Sequence, residues 1–533
     1  MQLQDEIIKW NNLFEENKLF KKELKKIEKI GIQNTNFYDN LNVANNCIYA
    51  EYGVGYSKIN SITIKKIIDL FLKIIENQHS NNYFLITSDG SQECIEIIKS
   101  LLNINNSNIK FITSSSYEGF DKNFILSSIK KINPMAALHL SKSIFDNKII
   151  NAALYNSSGI KIGNKVLEGI TKKIKKNLID VELAKNDNMS FLNNELLIKI
   201  FSDKIKELFK NYSISRKTKI AISNRSNGIT KIISKLVGSQ DFSYVINNKI
   251  KKREIDLFST KKHISDNKIK MYFWKDILFA RRKKANFLIC FNQEGTQLFL
   301  FAIHNSKVTY INSNLLTLIY LNHFYNELEM NNQKLTNTFI SSNNDPNENI
   351  IRLINKYKIN FKKITNNDFL TKDFLLIFWN DYNQYVFGDK MSQEFSIYQF
   401  LIKILCIIDY YNNQYNSINA LLNSLNKMYG VFSHEEKYIL DIAPDMITDK
   451  IDEVFKNWKQ KEVSTKIVNY VNEETIKEIY IDSEFKLNIK YNFIIKKVIM
   501  IVSYTKDTNV IKEFQKRIKL KYWIKTLMKE TKK

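Results

Sequence analysis

At 533 residues the chain is too long for one hydrophobic core, and we expect three or four domains of about 100–200 residues each. Apolar residues make up 44% of the chain, which excludes a disordered protein. The net charge of +25 comes mainly from lysines spread along the chain, in a composition that A/T-rich codons favour. We therefore interpret the charge as spread over the whole surface. A nucleic-acid partner is the weaker hypothesis, because only the net charge supports it.

The cysteines and histidines show no spacing that is typical of a metal site. Cys47, Cys94, Cys290 and Cys406 lie far apart in or beside apolar runs, so we expect buried, reduced thiols. The first residues include acids and lack the apolar core of a signal peptide, and no run of about 18 apolar residues is present. The sequence therefore predicts a cytoplasmic protein with no membrane span.

Apolar residues such as Trp10, Leu13 and Leu24, at three- and four-residue spacing, predict an amphipathic helix within residues 1–30. Strands are then expected at 83–87, 109–113 and 135–140, with helices between them, as a βαβ series around a mostly parallel sheet. The pattern restarts at 219–223 and at 337–342. The last part of the chain differs, because Ile-rich strands such as 494–502 precede a Lys-rich terminal helix.

This order predicts an α/β protein with three similar mixed-sheet α/β domains and a C-terminal α+β domain. The N-terminal helix is expected at 1–30, and the last domain at 441–533. The three similar domains are expected at 31–205, 206–318 and 319–440.

The segment "VANNCIYAEYGVGYSKINSITI", residues 43–64, resembles the first block of the α-D-phosphohexomutase family, which comprises phosphoglucomutases and phosphomannomutases. That block reads roughly FGTAGIRGxMGAGTNRMNxYTI, and the coinciding residues are Gly53, Gly55, Asn60, Thr63 and Ile64. The family's next block, a strand that ends in YDSR, matches residues 86–90, with Ser91 in place of its arginine. The resemblance covers nearly the whole chain and implies four domains in a heart-shaped arrangement around a central cleft.

In active members of that family, a serine in a TASHNP loop carries the phosphate. An alignment of residues 136–162 without gaps puts Ser143 at this position. However, Ile144, Phe145 and Asp146 replace the His, Asn and Pro that follow. The apolar neighbours cannot steer a proton or a phosphoryl group, so we interpret Ser143 as a serine without a catalytic role. A retained nucleophile is the alternative.

The family's metal loop follows a strand and reads DPDADR, and its three aspartates hold one Mg²⁺. Aligned to residues 276–289, these positions fall on Arg282, Lys284 and Asn286, so two ligands change sign and one is neutral. Two unit charges about 4 Å apart at a partly shielded site interact by about 4 kcal/mol, so we expect no divalent cation and no other cofactor. The resemblance also implies that this loop faces the cleft at the carboxyl ends of the strands.

The remaining two binding blocks of the family are altered as well. The sugar-recognition GEES block falls on residues 376–389, where Trp379 and Asn380 replace its glutamates and Asp381 follows. The phosphate-binding RPSGTEPK block falls near 489–499. There, Asn492, Phe493 and Ile494 replace small residues that let backbone N–H groups approach a phosphate.

Framework glycines persist while the nucleophile's surroundings and the metal, sugar and phosphate sites are all altered. We therefore predict a catalytically inactive pseudoenzyme that serves as a structural or interaction subunit of a larger cytoplasmic assembly. In a bacterium with a reduced genome, that assembly would be cytoskeletal, motility-related or ATPase-associated.

The cluster Arg281, Arg282, Lys283 and Lys284 is the candidate site for an anion or for an acidic partner protein, since Arg suits bidentate carboxylate contacts. The simpler interpretation of these cations is a solvated loop. The alternative function is a divergent but active phosphoglucomutase or phosphomannomutase that uses Mg²⁺, or a binder of phosphorylated ligands.

Overall fold

The structure is a computed structural model that describes most of the chain in separate ranges. These are residues 2–14, 17–75, 83–103, 110–114, 118–174, 189–207, 218–248, 263–304, 307–333, 338–343, 345–364, 375–387, 395–415, 418–430, 433–440, 465–469, 475–481, 485–492 and 497–505, and positions 515, 518, 522 and 525. The predicted terminal helix lies almost wholly outside these described residues.

The described residues form α-helices in the order expected for an α/β protein. They are α1 Gln2–Leu13, α2 Lys18–Ile30, α3 Ser61–Ile75, α4 Gln92–Asn103, α5 Lys122–Ile132, α6 Asn164–Lys173, α7 Asn194–Glu207, α8 Asn227–Ser239, α9 Asp266–Tyr272, α10 Trp274–Arg282, α11 Ser313–Met330, α12 Glu348–Tyr357, α13 Tyr398–Tyr415 and α14 Ile418–Tyr429. Two short 3₁₀ turns, Ile32–Asn34 and Asn36–Tyr38, follow α2.

The strands alternate with these helices until the C-terminal part of the chain. They are β1 Asn42–Ala44, β2 Cys47–Glu51, β3 Tyr83–Ser88, β4 Lys110–Ser114, β5 Ala136–Lys142, β6 Ile149–Asn156, β7 Met189–Leu192, β8 Lys219–Ser223, β9 Ser243–Asn247, β10 His263–Ile264, β11 Phe287–Phe291, β12 Leu298–His304, β13 Lys307–Ile311, β14 Phe339–Ser342, β15 Asn360–Lys363, β16 Leu375–Trp379, β17 Tyr385–Phe387, β18 Ser433–Leu440, β19 Thr465–Asn469, β20 Thr475–Ile481, β21 Phe485–Asn492 and β22 Lys497–Thr505.

These strands pair into four sheets, which confirms the α/β fold class. The first three sheets have the orders β1-β2-β6-β5-β3-β4-β7, β13-β12-β11-β8-β9 and β15-β14-β16-β17, and each mixes parallel and antiparallel pairs. The fourth, β10-β18-β22-β21-β20-β19, is antiparallel throughout its described pairs.

The first sheet is mixed, so the prediction of a mostly parallel sheet is wrong for it. Strands β5, β3, β4 and β7 are parallel, whereas β1, β2, β6 and β5 are paired antiparallel. The antiparallel half arises because β5 turns directly into β6 through a short hairpin, which leaves no room for a crossover helix.

The chain folds into two compact units. The first contains Met1–Lys204, Arg225–Ile232 and Gln293–Gly295, and the second contains Ile205–Asn224, Ile233–Asn292 and Thr296–Lys533. The predicted domain boundaries stay predictions. Two strands differ from them in their pairing. Strand β10 lies within the range of the predicted second domain and β18 within that of the third, but both join the antiparallel fourth sheet.

The N-terminal segment forms two helices, so the prediction of one helix over residues 1–30 is wrong. Asn17 precedes α2 and its Oδ1 accepts hydrogen bonds from the backbone N–H groups of Leu19 and Phe20, each at 3.1 Å. This side chain caps α2 and so favours a helix start at Lys18. Trp10 of α1 and Phe20 of α2 are buried in the core of the first unit.

Asn60 gives a structural reason for the residues that segment 43–64 shares with the first block of the family. This fully buried side chain donates through Nδ2 to the carbonyl groups of Gly53 and Gly55, each at 2.9 Å. Its Oδ1 accepts from the N–H of Thr63 at 3.0 Å, and the Thr63 hydroxyl accepts from the N–H of Asn60. Asn60 thus caps α3 and closes the preceding loop, which is a structural role.

All four cysteines are free and buried, which confirms the expectation of buried thiols. Burial raises the pKa of the Cys94 thiol well above its usual value. Among the described residues, no helix combines the length and the apolar character needed to cross a membrane.

Three glycines of the first unit bring backbone segments into close contact. A Cβ on Gly119 would lie 2.0 Å from the carbonyl oxygen of Asp89, and one on Gly228 would lie 2.3 Å from the carbonyl oxygen of Gly119. Gly90 has a φ of +78° and faces Gly119 in the same way. These close backbone contacts hold the Asp89 turn against the rest of the first unit.

We expect Gly119→Ala to lower the free energy of unfolding by about 3 kcal/mol or more, because the added methyl group would overlap backbone that cannot shift. The matched control is Gly169→Ala in α6, where the new Cβ meets nothing within 4 Å. This control should raise stability by about 0.5–1 kcal/mol, as expected in a helix interior. Urea denaturation followed by circular dichroism measures the free energy of unfolding of both variants. Equal effects would contradict the close backbone contact at Gly119.

Candidate functional site

Ser143 lies directly after β5, in the hairpin that joins β5 to β6. Its N–H donates to the carbonyl group of Ile149 at 2.9 Å, and its Oγ accepts from the N–H of Phe145 at 3.2 Å. The residue is only 7% exposed. Among the described residues, its hydroxyl makes no hydrogen bond to a His, Asp or Glu side chain that would accept its proton. Ser143 therefore closes its own turn.

Asp89 fixes the same hairpin from the end of the neighbouring strand β3. Its Oδ2 accepts from the N–H of Lys142 and its Oδ1 from the N–H of Ser91, each at 2.8 Å. Burial raises the pKa of the Asp89 carboxyl to about 6, although these two hydrogen bonds act in the opposite direction. Lys142, next to Ser143, also pairs with Glu93 at 2.8 Å. Asp89 therefore positions the Ser143 turn.

The cation cluster does not follow a strand, which corrects the predicted alignment of the metal loop. Arg281 and Arg282 end helix α10, and Lys283 and Lys284 form the turn into β11. Because these residues precede β11, they lie at the amino ends of the parallel strands β8 and β11. The prediction that they lie at the carboxyl ends of strands is wrong.

Asn286, the third predicted replacement of a metal ligand, has a structural role at the start of the second sheet. Its N–H donates to the carbonyl group of Lys219, and its Oδ1 accepts from the N–H of Lys219, both at 2.7 Å. The Asn286 carbonyl group also accepts from the N–H of Ile303. These bonds hold the turn after α10 onto β8 and β12.

The four cations of the cluster are all exposed. Within the described part of the chain, none of them forms an ion pair. In contrast, Lys65, Lys122 and Lys142 each pair with a carboxylate. The charge of the cluster is therefore not balanced by any described carboxylate.

A polar loop that does follow a strand lies one strand further along, at residues 292–297 between β11 and β12. Asn292 closes this loop, because its Oδ1 accepts from the N–H groups of Thr296 and Gln297, each at 2.8 Å. Asn292 Nδ2 also donates to the Thr296 hydroxyl at 3.0 Å. Gln297 Nε2 donates to the carbonyl group of Tyr382 at 2.9 Å. All of these side chains are buried, and their polar groups are used within the protein.

Glu294, in the middle of the same loop, belongs to the first unit and pairs with Lys122. Its Oε1 lies 3.0 Å from Lys122 Nζ, and the two side chains are 7% and 13% exposed. In this nearly buried ion pair, the ammonium group balances the charge of the carboxylate.

These residues do not fit the Mg²⁺ ion that the fold family implies. Mg²⁺ requires several oxygen ligands in octahedral geometry and usually takes carboxylates. The loop offers one carboxylate, Glu294, whose charge is matched by Lys122, and the amide oxygen of Asn292 already accepts two N–H donors. Within the described ranges no group of three or more His, Cys, Asp or Glu side chains is arranged to hold a metal.

The predicted sugar loop connects β16 to β17 and is also closed by an asparagine. Asn380 Oδ1 accepts from the N–H groups of Tyr382 and Gln384 at 3.0 and 3.2 Å, and its Nδ2 donates to Gln384 Oε1 at 2.9 Å. Trp379 is buried and donates through Nε1 to Asn314 Oδ1 at 3.2 Å.

Asp381 of this loop is held by two lysines of the fourth sheet. The ammonium group of Lys437 donates to its carbonyl group, and Lys490 Nζ lies 3.9 Å from its carboxylate. Of the residues predicted to replace the phosphate loop, Asn492 ends β21, whereas Phe493 and Ile494 lie outside the described residues.

Sequence reasoning missed the loop 292–297 and its partner Lys122. A signal for the loop was present, since the apolar run 287–291 is followed by Asn, Gln, Glu and Gly, as at a strand that ends in a turn. The Lys122–Glu294 and Asp89–Lys142 contacts join residues far apart in sequence, and no local pattern reveals them.

Solved phosphohexomutase structures share this fold. A protein assigned as a phosphomannomutase, from Thermus thermophilus, aligns with a TM-score of 0.59 and 8% identity over 90% of this chain and 100% of its own. A phosphoglucomutase/phosphomannomutase family protein from Burkholderia thailandensis aligns with a TM-score of 0.57 and 10% identity, over 89% and 96%. The open form of the Paramecium phosphoglucomutase parafusin aligns with a TM-score of 0.60 and 11% identity, over 88% and 92%.

At the level of sequence, no protein-family model matches the chain. No curated protein matches it either. The structural likeness confirms that the chain has the phosphohexomutase fold, as the resemblance of residues 43–64 implied.

The position of Asp89 predicts a pH effect on stability. Because its folded-state pKa of about 6 exceeds the usual 3.8, the folded state binds the proton more tightly, so this contribution to stability is lost as the pH rises from about 4 to 6. The free energy of unfolding of the wild type minus that of Asp89→Asn should therefore fall by about 1–3 kcal/mol across this range. Denaturation curves at each pH measure it. A difference that rises with pH would show that the two backbone donors outweigh burial.

Proposed function

We propose that this phosphohexomutase-like chain no longer catalyses phosphoryl transfer and serves as an interaction subunit of a larger assembly. The observation that carries this proposal is the loop 292–297, in which the carboxylate of Glu294 is paired with Lys122 and Asn292 closes the turn. In the family that the chain resembles, a loop after a strand supplies three carboxylates to one Mg²⁺. Here the loop that follows strand β11 holds one carboxylate.

The chemistry of the other loops supports the same conclusion. A phosphoryl group in transfer requires preorganised donors or cations that are available to its oxygens. The polar groups of Asn292 and Asn380 instead bond within their own loops. Each such hydrogen bond contributes about 1 kcal/mol, so a ligand would have to replace several of them before it gained any contact.

The surroundings of Ser143 are unfavourable for a nucleophile. A serine hydroxyl needs an adjacent base to become nucleophilic. Ser143 Oγ instead accepts a hydrogen bond from the backbone of its own turn, and Ile144 and Phe145 follow it. The Asp89 carboxylate, which fixes the same hairpin, already accepts hydrogen bonds from two backbone N–H groups.

The interaction role is supported by surface charge that the described part of the chain does not balance. Arg281, Arg282, Lys283 and Lys284 are exposed and lack an ion pair with any described carboxylate. Exposed cations of this kind accelerate association with an acidic protein and add specificity to it.

We expect no turnover when the purified chain is incubated with Mg²⁺, glucose 1-phosphate or mannose 1-phosphate, and a hexose bisphosphate activator. The physical reason is that the loop 292–297 holds one carboxylate, which is paired with Lys122, and that the polar groups of Asn292 and Asn380 already bond within their own loops. A coupled assay measures product, with an active phosphoglucomutase as the positive control and Ser143→Ala as the matched variant. Turnover by the wild type that Ser143→Ala abolishes would establish the alternative, a divergent active mutase.

A further inference from the structure

A groove of about 710 Å³ opens in the second unit between strand β9 and helix α10. Its apolar walls come from both elements, with Val245 and Ile246 on the strand and Leu278 and Phe279 on the helix. A cavity of this size and lining is typical of a site that takes apolar side chains or a small molecule.

Helix α10 presents one face to this groove, because its lining residues recur four positions apart. Trp274, Leu278 and Arg282 form one row. Lys275 and Phe279 form the next, which Lys283 continues in the turn after the helix. Eight residues of helix span about 12 Å, so the groove has the length of about two helical turns. The order of residues in α10 places Trp274 at one end of the groove and Arg282 at the other.

The opposite face of α10 is buried, which explains why this face is left open. Ile277 and Ala280 pack into the core, and the buried carboxylate of Asp276 accepts from Asn247 Nδ2 at 3.0 Å. Asn247 is the last residue of β9, so this bond ties the start of α10 to the end of the strand. The groove therefore lies between two elements that are fixed to each other.

The groove is exposed to solvent at its apolar residues. Trp274 is 53% exposed and Leu278 is 37% exposed, and the cations Arg282 and Lys283 are also exposed. Large exposed apolar side chains rimmed by charge mark interaction surfaces, and Trp and Arg are the residues that most often carry binding energy there.

We propose that this groove binds an acidic amphipathic segment of a partner protein. The apolar side chains of that segment lie between β9 and α10, and its carboxylates contact Arg282 and Lys283. The inference rests on the proposed function and adds the surface and the partner chemistry to it.

Charge complementarity decides in favour of an acidic partner. The whole chain carries a net charge of +25, so a second copy would bring further positive charge to this surface. Residues 249–262, which follow Asn248 in sequence, hold six Lys and Arg against two acids, so their charge does not complement Arg282 and Lys283. Arg282 matches a carboxylate in bidentate geometry.

The aliphatic walls favour a protein over a nucleic acid. A single-stranded nucleic acid would use the cations and stack on Trp274. It offers nothing that packs on Val245, Ile246 and Leu278, whereas an amphipathic helix places Leu or Ile side chains at three- and four-residue spacing along such a wall.

The test uses the full chain and a fluorescein-labelled synthetic peptide with leucines three and four residues apart and flanking glutamates. Fluorescence anisotropy at about 0.1 M salt should give a Kd in the range of about 1–100 μM, and added salt should weaken it. The same peptide with lysines in place of the glutamates should bind at least about tenfold more weakly.

Variants separate the groove from charge in general. The double variant Arg282→Glu/Lys283→Glu and the single variant Leu278→Ser should each weaken binding about tenfold. The matched control is Arg281→Glu/Lys284→Glu, which makes the same change of charge on adjacent residues that do not line the groove. Its effect should stay below about threefold, since water and salt screen charges outside the contact. Peptide binding should also slow hydrogen exchange at residues 245–248 and 274–283.

Four outcomes would overturn the inference. These are no binding of the acidic peptide, equal losses in the two charge-reversal variants, displacement of the peptide by a single-stranded RNA oligonucleotide that binds more tightly, or self-association of the chain that Leu278→Ser abolishes. A mutase assay on the same preparations keeps the two proposals distinguishable. Absence of peptide binding without turnover removes only the groove, whereas turnover removes the non-catalytic function.

Discussion

The asparagine side chain, acting as both donor and acceptor, closes the loops on which this structure depends. Asn60 binds two carbonyl groups and caps α3, and Asn292 and Asn380 each accept from two backbone N–H groups of their own turns. A buried backbone group without a partner costs roughly 1–3 kcal/mol, so a turn satisfied by its own side chain can be buried without a ligand. The asparagine side chains thus satisfy backbone groups of these loops without a ligand.

This constraint separates what the chain has in common with phosphohexomutases from what it lacks. Gly53, Gly55 and Asn60 form one buried hydrogen-bonded unit, so folding alone requires them. No comparable folding requirement keeps three carboxylates in the loop 292–297, where Lys122 pairs with the single one. Under the proposed function, a chain without catalysis keeps the first set of residues and changes the second. The exposed groove beside α10 lies outside both sets and gives the fold a surface for binding.

Sequence patterns predicted the order of elements well, because the apolar periodicity of strands such as β3, β8 and β16 is local information. They failed at the cation cluster, since the apolar run Ile277, Leu278, Phe279 does not distinguish a strand from a short helix. The aligned residues therefore lie at the end of a helix and not after a strand. The alignment without gaps predicts no contacts for Ser143, because its burial and the bond between the neighbouring Lys142 and Asp89 depend on tertiary structure.

The central claim, that the fold persists without the chemistry, is tested most directly by the phosphorylation state of Ser143. In active relatives of the family that the chain resembles, the corresponding serine carries the phosphate. Intact-mass and peptide mass spectrometry of protein purified from its native source, with phosphatase inhibitors present, measures this state. The account predicts an unmodified Ser143. A stoichiometric phosphoryl group on Ser143 would contradict it and would restore the catalytic interpretation.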